Sequence, residues 1–212
     1  MRELASPIAG HEVSGVTSKL IIRMHPGLEM SDNEFFQLCQ LNRDLRFERT
    51  SEGDIIVMSP TGAESGRRNA EITRQIANWG KRDGTGVVFD SSTGFRLPNG
   101  ADRSPDTAWV SRERLAAFSA EQRRKFLPLC PDFVVELVSP SDKLEDVQDK
   151  MNEYMANGMR LGWLIDPERR RVQVYRPGSL VEGLDNPAEV SGDPELPGLV
   201  LELRDIWELG TE

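Results

Sequence analysis

The sequence predicts an α/β or α+β domain in which a central mixed β-sheet is flanked by helices. Two long amphipathic helical patterns are separated by short runs of β-forming residues, and Gly, Pro and Asn mark the breaks between runs. The chain contains no internal repeat and no linker, so residues 1–212 are expected to form one domain. Its length and its hydrophobic content of 38% suffice for one sizeable core.

The first half of the chain predicts two helices and six strands. Ser31 and Glu34 form a capping box at the start of the first helix, and Phe35, Leu38 and Leu41 share one of its faces. The second helix spans 64–82, and its apolar residues at helical spacing are Ile72, Ile76 and Trp79. Runs of β-forming residues bounded by turn residues predict strands at 16–24, 45–49, 54–58, 86–90, 94–97 and 106–111.

The second half predicts a buried strand, a further helix and a hairpin. After a short helical turn capped by Ser119, a strand at 133–138 leads into a helix at 144–157, which ends at Gly158. The apolar stripe of this helix, which should face the sheet, consists of Leu144, Val147, Met151 and Tyr154. The hairpin strands lie at 161–165 and 172–175, and short edge strands follow in the tail.

The negative charge of the chain is concentrated at its C-terminal end. Of the formal net charge of −9, residues 182–212 carry −8, which leaves only −1 for the rest. We expect an acidic extension at 182–212 and an irregular arm at 1–15. The remainder contains basic clusters at Arg67, Arg68 and Arg74, at 123–125 and at 169–171. Phosphate binding is therefore not excluded, although a high-affinity architectural DNA-binding protein is not expected.

Several classes of protein are excluded by composition. The first thirty residues contain no signal-peptide pattern and no segment approaches ~20 apolar residues, so a soluble, cytoplasmic protein without membrane contact is expected. Cys39 and Cys130 lie far apart without a companion His, which predicts free, buried thiols. His11 and His25 are the two histidines of the chain, so histidine-based triads are not expected.

Two carboxylates occupy positions where a strand normally avoids charge. Asp106 opens the β-forming run Thr-Ala-Trp-Val, and Glu136 interrupts the apolar run at 133–138. A carboxylate in a strand buried on both faces costs desolvation energy unless it is paired, protonated or bound to a metal. The two residues can meet at one metal ion. The alternative is a surface-facing Glu136 and an Asp106 that forms a turn.

Lys150 lies on the flank of the apolar stripe of the helix at 144–157. From there its ammonium can be directed toward Asp106 and Glu136. Alternatively, its stem covers apolar surface while the charge reaches water.

Four spaced blocks resemble the Uma-two family of restriction-endonuclease-like proteins in the PD-(D/E)xK nuclease superfamily. The resemblance spans roughly residues 30 to 207. In chain order the blocks are Ser104-Pro-Asp-x-x-Trp-Val110, Pro131-Asp-Phe-Val-Val-Glu-Leu-x-Ser-Pro-Ser-Asp142, Lys150-x-x-x-Tyr-x-x-x-Gly158 and Trp163-Leu-Ile-Asp-Pro167.

The resemblance implies a restriction-endonuclease-like core and a divalent-metal site. In such proteins Asp106, Glu136 and the main-chain carbonyl of Leu137 would hold Mg²⁺ or Mn²⁺, which prefer hard oxygen ligands. Glu64, at the start of the second helix, would contribute an acidic group. It also has an ordinary explanation in the helix dipole. The resemblance implies a DNA substrate and a homodimer. The exposed edges of the tail strands and the segment 203–207 are candidate contacts, although the sequence does not locate an interface.

One position departs from the superfamily pattern, because Val138 stands where the motif lysine is expected. Lys150 would then be the catalytic cation, with Lys143 as the alternative. Our leading hypothesis is a Mg²⁺-dependent endonuclease. A second hypothesis is a nuclease-fold protein that has lost catalysis and serves as a DNA-binding or regulatory module. A third is metal-independent hydrolysis of another substrate by two carboxylates.

Overall fold

The computed structural model describes residues 20–24 and 27–208, so the predicted arm at 1–15 and residues 16–19 of the first predicted strand lie outside the described residues. The elements are β1 (Leu20–Ile22), α1 (Asp32–Leu41), β2 (Arg46–Arg49), β3 (Ile55–Met58), α2 (Ala63–Asp83), β4 (Gly86–Asp90), β5 (Phe95–Arg96), β6 (Asp102–Arg103), β7 (Thr107–Ser111), α3 (Arg112–Ala116), β8 (Phe133–Leu137), α4 (Leu144–Ala156), β9 (Leu161–Asp166), β10 (Arg171–Tyr175), β11 (Glu182–Asp185), β12 (Glu189–Ser191), β13 (Val200–Glu202) and α5 (Arg204–Trp207). A 3₁₀ turn spans Gln122–Arg124.

A six-stranded sheet in the order β11-β10-β9-β8-β7-β4 forms the centre of the fold. The β8–β9 pair is parallel, and the other pairs are antiparallel. The helices α2 and α4 flank this sheet, so the predicted mixed sheet between helices is confirmed.

The inner strand β8 is buried along its whole length and packs on both sides. Phe133, Val135 and Leu137 belong to the core cluster that contains Ile72 and Ile76 of α2. Val134 belongs to the cluster on the opposite face, which contains Val147, Met151 and Tyr154 of α4. Because side chains alternate along a strand, Glu136 faces α4.

A second, antiparallel sheet in the order β1-β3-β2-β6-β5 was not predicted as a separate unit. Its strand β6 has two residues, too few for a periodic pattern. Asp102 of β6 is instead fixed by ion pairs, because it accepts from Arg49 Nε at 2.8 Å and from Arg96 Nη2 at 2.8 Å. This sheet brings β2 close to α4.

The tail is part of the packed structure. Leu203 and Ile206 are fully buried, and α5 contacts α2. These side chains fill the core of their own chain, and Arg204 and Asp205 are the exposed residues of the segment 203–207. Contact of this segment with a partner stays a prediction. Arg67 and Arg68 donate to main-chain carbonyls of this tail. The side chain of Arg68 is only 12% exposed, whereas Arg67 stays on the surface.

Local predictions succeeded where the pattern was complete. The capping box of Ser31 and Glu34 is present, and Gly158 follows α4 with a φ of 102°. Of the three residues predicted to share one face of α1, Phe35 is buried, whereas Leu41, the last residue of the helix, is 83% exposed. The short helical stretch predicted after the strand at 106–111 is present as α3 and the 3₁₀ turn, and the hydroxyl of Ser119 accepts from the main-chain N–H of Gln122. Within residues 20–24 and 27–208, no helix has the length and apolar character needed to cross a membrane.

Candidate active site

Asp106 and Glu136 come together because their strands are antiparallel neighbours. In the register of β7 and β8, Thr107 faces Val135. Continued by one residue, this register sets Asp106 opposite Glu136, and directly opposed residues share one face of a sheet. The two carboxylates, thirty positions apart in sequence, are thus brought to the same end of the two strands.

Hydrogen bonds fix the orientation of Asp106. Its Oδ2 accepts from the main-chain N–H of Leu137 at 2.9 Å, and its Oδ1 accepts from Asn69 Nδ2 at 2.9 Å. Since the carboxylate can only accept, the amide nitrogen of Asn69 must point at it. The amide oxygen of Asn69 is buried, and no described residue donates to it.

Glu136 and Lys150 form an ion pair inside the protein. The ammonium of Lys150 lies 2.8 Å from Glu136 Oε1, which also accepts from the hydroxyl of Tyr154 at 3.0 Å. The Lys150 side chain is only 14% exposed, so its charge does not extend into water. The sequence allowed two orientations of the Lys150 side chain, inward to the carboxylates or outward to water. The structure has the inward orientation.

Glu48 of β2 belongs to the same cluster, and the sequence analysis missed it. Its Oε1 lies 2.8 Å from the Lys150 ammonium, and its carboxylate also accepts from Arg103 Nη1 at 3.2 Å and from the main-chain N–H of Ser104 at 3.0 Å. The residue is only 4% exposed. In sequence it stands in Arg-Phe-Glu-Arg, where alternating charges are typical of a solvated strand, so no local signal marked it as buried.

The carboxyl groups of the cluster titrate differently because their partners differ. Burial raises the pKa of Glu136 to about 7, against the attraction of Lys150, and the nearby charge of Asp106 raises it further. Burial would also raise the pKa of Glu48, but Lys150 and Arg103 outweigh it and lower this pKa to about 2. Burial raises the pKa of Asp106 as well. At neutral pH, Glu48 is ionised while Glu136 is poised to accept or release a proton.

Lys150 keeps its proton. Burial alone would lower its pKa, but the carboxylates of Glu136 and Glu48 raise it above the ordinary value. The site therefore holds a permanent cation between two carboxyl groups.

The cluster lies in a cleft of about 610 Å³. Asp106, Glu136, Leu137 and Lys150 line it together with Glu48 and Asn69, and one wall is apolar and comes from β3. Arg46 and Lys150 are the cationic residues among the described residues that line the cleft. Sequence reasoning did not single out Arg46.

Not every predicted residue is in the cleft. The side chain of Glu64 is 66% exposed, lies 3.6 Å from Arg68, and is not among the described residues that line the cleft, so its part in the site stays a prediction. Lys143 is exposed and precedes α4.

Val138 packs against the apolar cluster of α4, on the face where Glu136 lies. Lys150 reaches this face from α4. A lysine therefore lies beside Glu136 although position 138 is a valine.

The oxygen atoms of the site have the chemistry of a divalent-metal site. Asp106 and Glu136 supply carboxylates, and Asn69 supplies a buried oxygen without a donor beside Asp106. Among the described residues, no group of three or more His, Cys, Asp or Glu side chains is arranged to hold a metal ion. A divalent ion at this position would therefore depend on two carboxylates and on neutral oxygens.

Comparison with known proteins supports this fold and places the chain in a family. The family model of Uma2, described as "Putative restriction endonuclease", matches residues 32–204. Among solved structures, the chain is similar to one described as a "putative nuclease belonging to DUF820" from Anabaena variabilis, with a TM-score of 0.69 and 21% sequence identity. This match covers 84% of the present chain and 97% of the other, and at this identity it shows the fold. No curated protein matches the chain.

The raised pKa of Glu136 predicts a specific pH dependence of stability. The folded pKa, about 7, exceeds the ordinary value of 4.5. The group therefore contributes stability below pH 4.5 that is lost as the pH rises through about 7. We expect the free energy of unfolding of the wild type to fall over this range relative to Glu136→Gln, by about 1.4 kcal/mol per unit of pKa shift. Urea denaturation in EDTA at several pH values measures this difference, and a difference that is independent of pH would contradict the assignment.

Proposed function

We propose that this chain, which belongs to the Uma2 family, is a divalent-metal-dependent endonuclease that hydrolyses phosphodiester bonds of DNA. The observation that carries the proposal is the pair of carboxylates of half-buried Asp106 and buried Glu136, with the ammonium of Lys150 at 2.8 Å from Glu136 in a cleft. Its family description supports nuclease activity. The cytoplasmic location inferred from the sequence stays a prediction.

In this proposal Asp106, Glu136 and the main-chain carbonyl of Leu137 would hold Mg²⁺ or Mn²⁺. When bound, such an ion polarises the phosphodiester and lowers the pKa of a bound water. Asn69 and the N–H of Leu137 hold the Asp106 carboxylate in one orientation, so little rearrangement is needed on binding.

Lys150 is the proposed catalytic cation. Its ammonium is protonated, largely buried and held by two carboxylates, so its position is fixed before substrate binds. A preorganised donor of this kind offsets the negative charge that develops on the phosphate in the transition state. Arg46 lines the same cleft and donates to the main-chain carbonyl of Ser91. Its remaining N–H groups would bind a phosphate of the substrate.

Metal binding should stabilise the wild-type fold and depend on both carboxylates. We expect a gain of about 2.7 kcal/mol when free metal exceeds its dissociation constant a hundredfold. Asp106→Asn and Glu136→Gln should each abolish this gain and abolish cleavage of supercoiled DNA, while the metal-free proteins stay folded. Thermal unfolding and plasmid cleavage with Mg²⁺, Mn²⁺ or EDTA measure the two effects.

Glu64→Gln is the comparison variant in that experiment. Because the Glu64 side chain is exposed and paired with Arg68, unchanged metal binding and cleavage would remove it from the proposed site, and a loss of both would retain it. Equal Mn²⁺ affinity in wild type, Asp106→Asn and Glu136→Gln would contradict the proposed ligands.

Lys150→Ala should separate binding from catalysis. Cleavage should fall by roughly two or more orders of magnitude, the scale of one preorganised donor, while DNA binding stays nearly unchanged and Mn²⁺ binding is not weakened. Lys143→Ala is the matched control, because this lysine is exposed beside the same helix. Full activity of Lys150→Ala would refute the assignment. If the wild type cleaves neither DNA nor RNA with any divalent metal, the protein is a binding or regulatory module instead.

A homodimer, which would set two sites against one duplex, is part of the proposal. The outermost strand β11 of the central sheet and the exposed apolar strand β1 are the candidate contacts. Light scattering should give twice the chain mass of 23.8 kDa. A concentration-independent mass of one chain would rule the dimer out.

A further inference from the structure

Glu48 reaches the site from a different sheet than the two carboxylates of the proposed metal site. It lies on β2, and its carboxylate is saturated by the Lys150 ammonium, the Arg103 guanidinium and the N–H of Ser104. A carboxylate with three donors at 2.8 to 3.2 Å and 4% exposure has little freedom to move. It is therefore an anchor with a fixed position.

Lys150, in contrast, has two carboxylate partners with different roles in the proposed site. Glu136 is a proposed metal ligand, so a divalent ion would compete with Lys150 for its charge and would also repel the ammonium. Glu48 is not a proposed metal ligand. When Glu136 binds a cation, Glu48 is the partner that can keep Lys150 in the cleft.

We propose that Glu48 is a positioning residue that holds the Lys150 ammonium beside the Asp106–Glu136 pair when the charge of Glu136 is engaged elsewhere. This inference rests on the proposed function. Through Glu48 on β2, the five-stranded sheet would contribute a residue to the site at the central sheet.

The surrounding contacts distinguish this role from general stabilisation. Arg103 bridges Glu48 and Glu153, at 3.2 and 2.5 Å, so it keeps a carboxylate partner if the charge of Glu48 is removed. Lys150 then has Glu136 as its remaining ion-pair partner among the described residues. The loss of Glu48 therefore acts mainly on Lys150, and Glu153→Gln is a matched control that removes a carboxylate from the same network without touching Lys150.

A labelling experiment tests the anchor in metal-free protein. Glu136→Gln imitates engagement of Glu136, and reductive methylation mapped by mass spectrometry reports access to the Lys150 amine, with exposed Lys81 as internal standard. Lys150 should stay protected in Glu136→Gln and should react at least about tenfold faster in Glu48→Gln/Glu136→Gln. Glu136→Gln/Glu153→Gln should remain protected. Equal reactivity of Lys150 in Glu136→Gln and in the Glu48→Gln/Glu136→Gln variant would overturn the proposal, whether or not the protein binds metal or cleaves DNA.

Calorimetry with Mn²⁺ gives a second readout. Glu48→Gln leaves the Lys150 ammonium paired with Glu136, a proposed metal ligand. The ammonium then competes with Mn²⁺ for this carboxylate, so Mn²⁺ affinity should fall by about tenfold. Lys150→Ala added to Glu48→Gln should restore the affinity, because it removes the repelling charge. A disturbed fold could not be repaired in this way. If the double variant binds Mn²⁺ as weakly as Glu48→Gln, the effect is structural and the positioning role is wrong.

Discussion

A carboxylate placed in a strand that is buried on both faces must be compensated from inside the protein, because it loses most of its contact with water. Glu136 imposes this constraint on the present fold. Its compensation comes from Lys150 and Tyr154 of α4, which fixes where α4 lies on the sheet. Because Lys150 offsets only part of the cost of burying the Glu136 carboxylate, the pKa of Glu136 stays near 7. Glu136 can therefore gain or lose a proton near neutral pH.

The same lysine links the two sheets. Through Glu48 the charge of Lys150 is tied to β2, and through Arg103 and Glu153 the network returns to α4. Charges of opposite sign alternate along this path, so each buried group has a partner. A fully connected network of this kind holds its members in one arrangement, whereas a partly satisfied one would be costly. The cleft lies between the two sheets, and its walls are held together by the groups that would act in it.

Much of the fold and part of the site could be predicted. The strand β8, the inward stripe of α4 and the capping box of α1 depend on short-range periodicity, which is complete in the sequence. β6 could not be predicted, because two residues carry no period and Asp102 is fixed by distant arginines. Glu48 was missed for a similar reason, since its burial follows from the approach of α4 and not from its neighbours in sequence.

The sequence by itself determined which segments form strands and helices, that Glu136 and Asp106 are unusual in them, and that position 138 holds valine where the motif lysine is expected. These properties are local or depend on residue type. Only the tertiary structure decided which charges face each other: that Lys150 lies between Glu136 and Glu48, that Asn69 orients Asp106, and that Arg67 and Arg68 are engaged by the tail. Ion pairs between residues far apart in sequence depend on how the sheets and helices pack, and no periodic pattern along the chain records that packing.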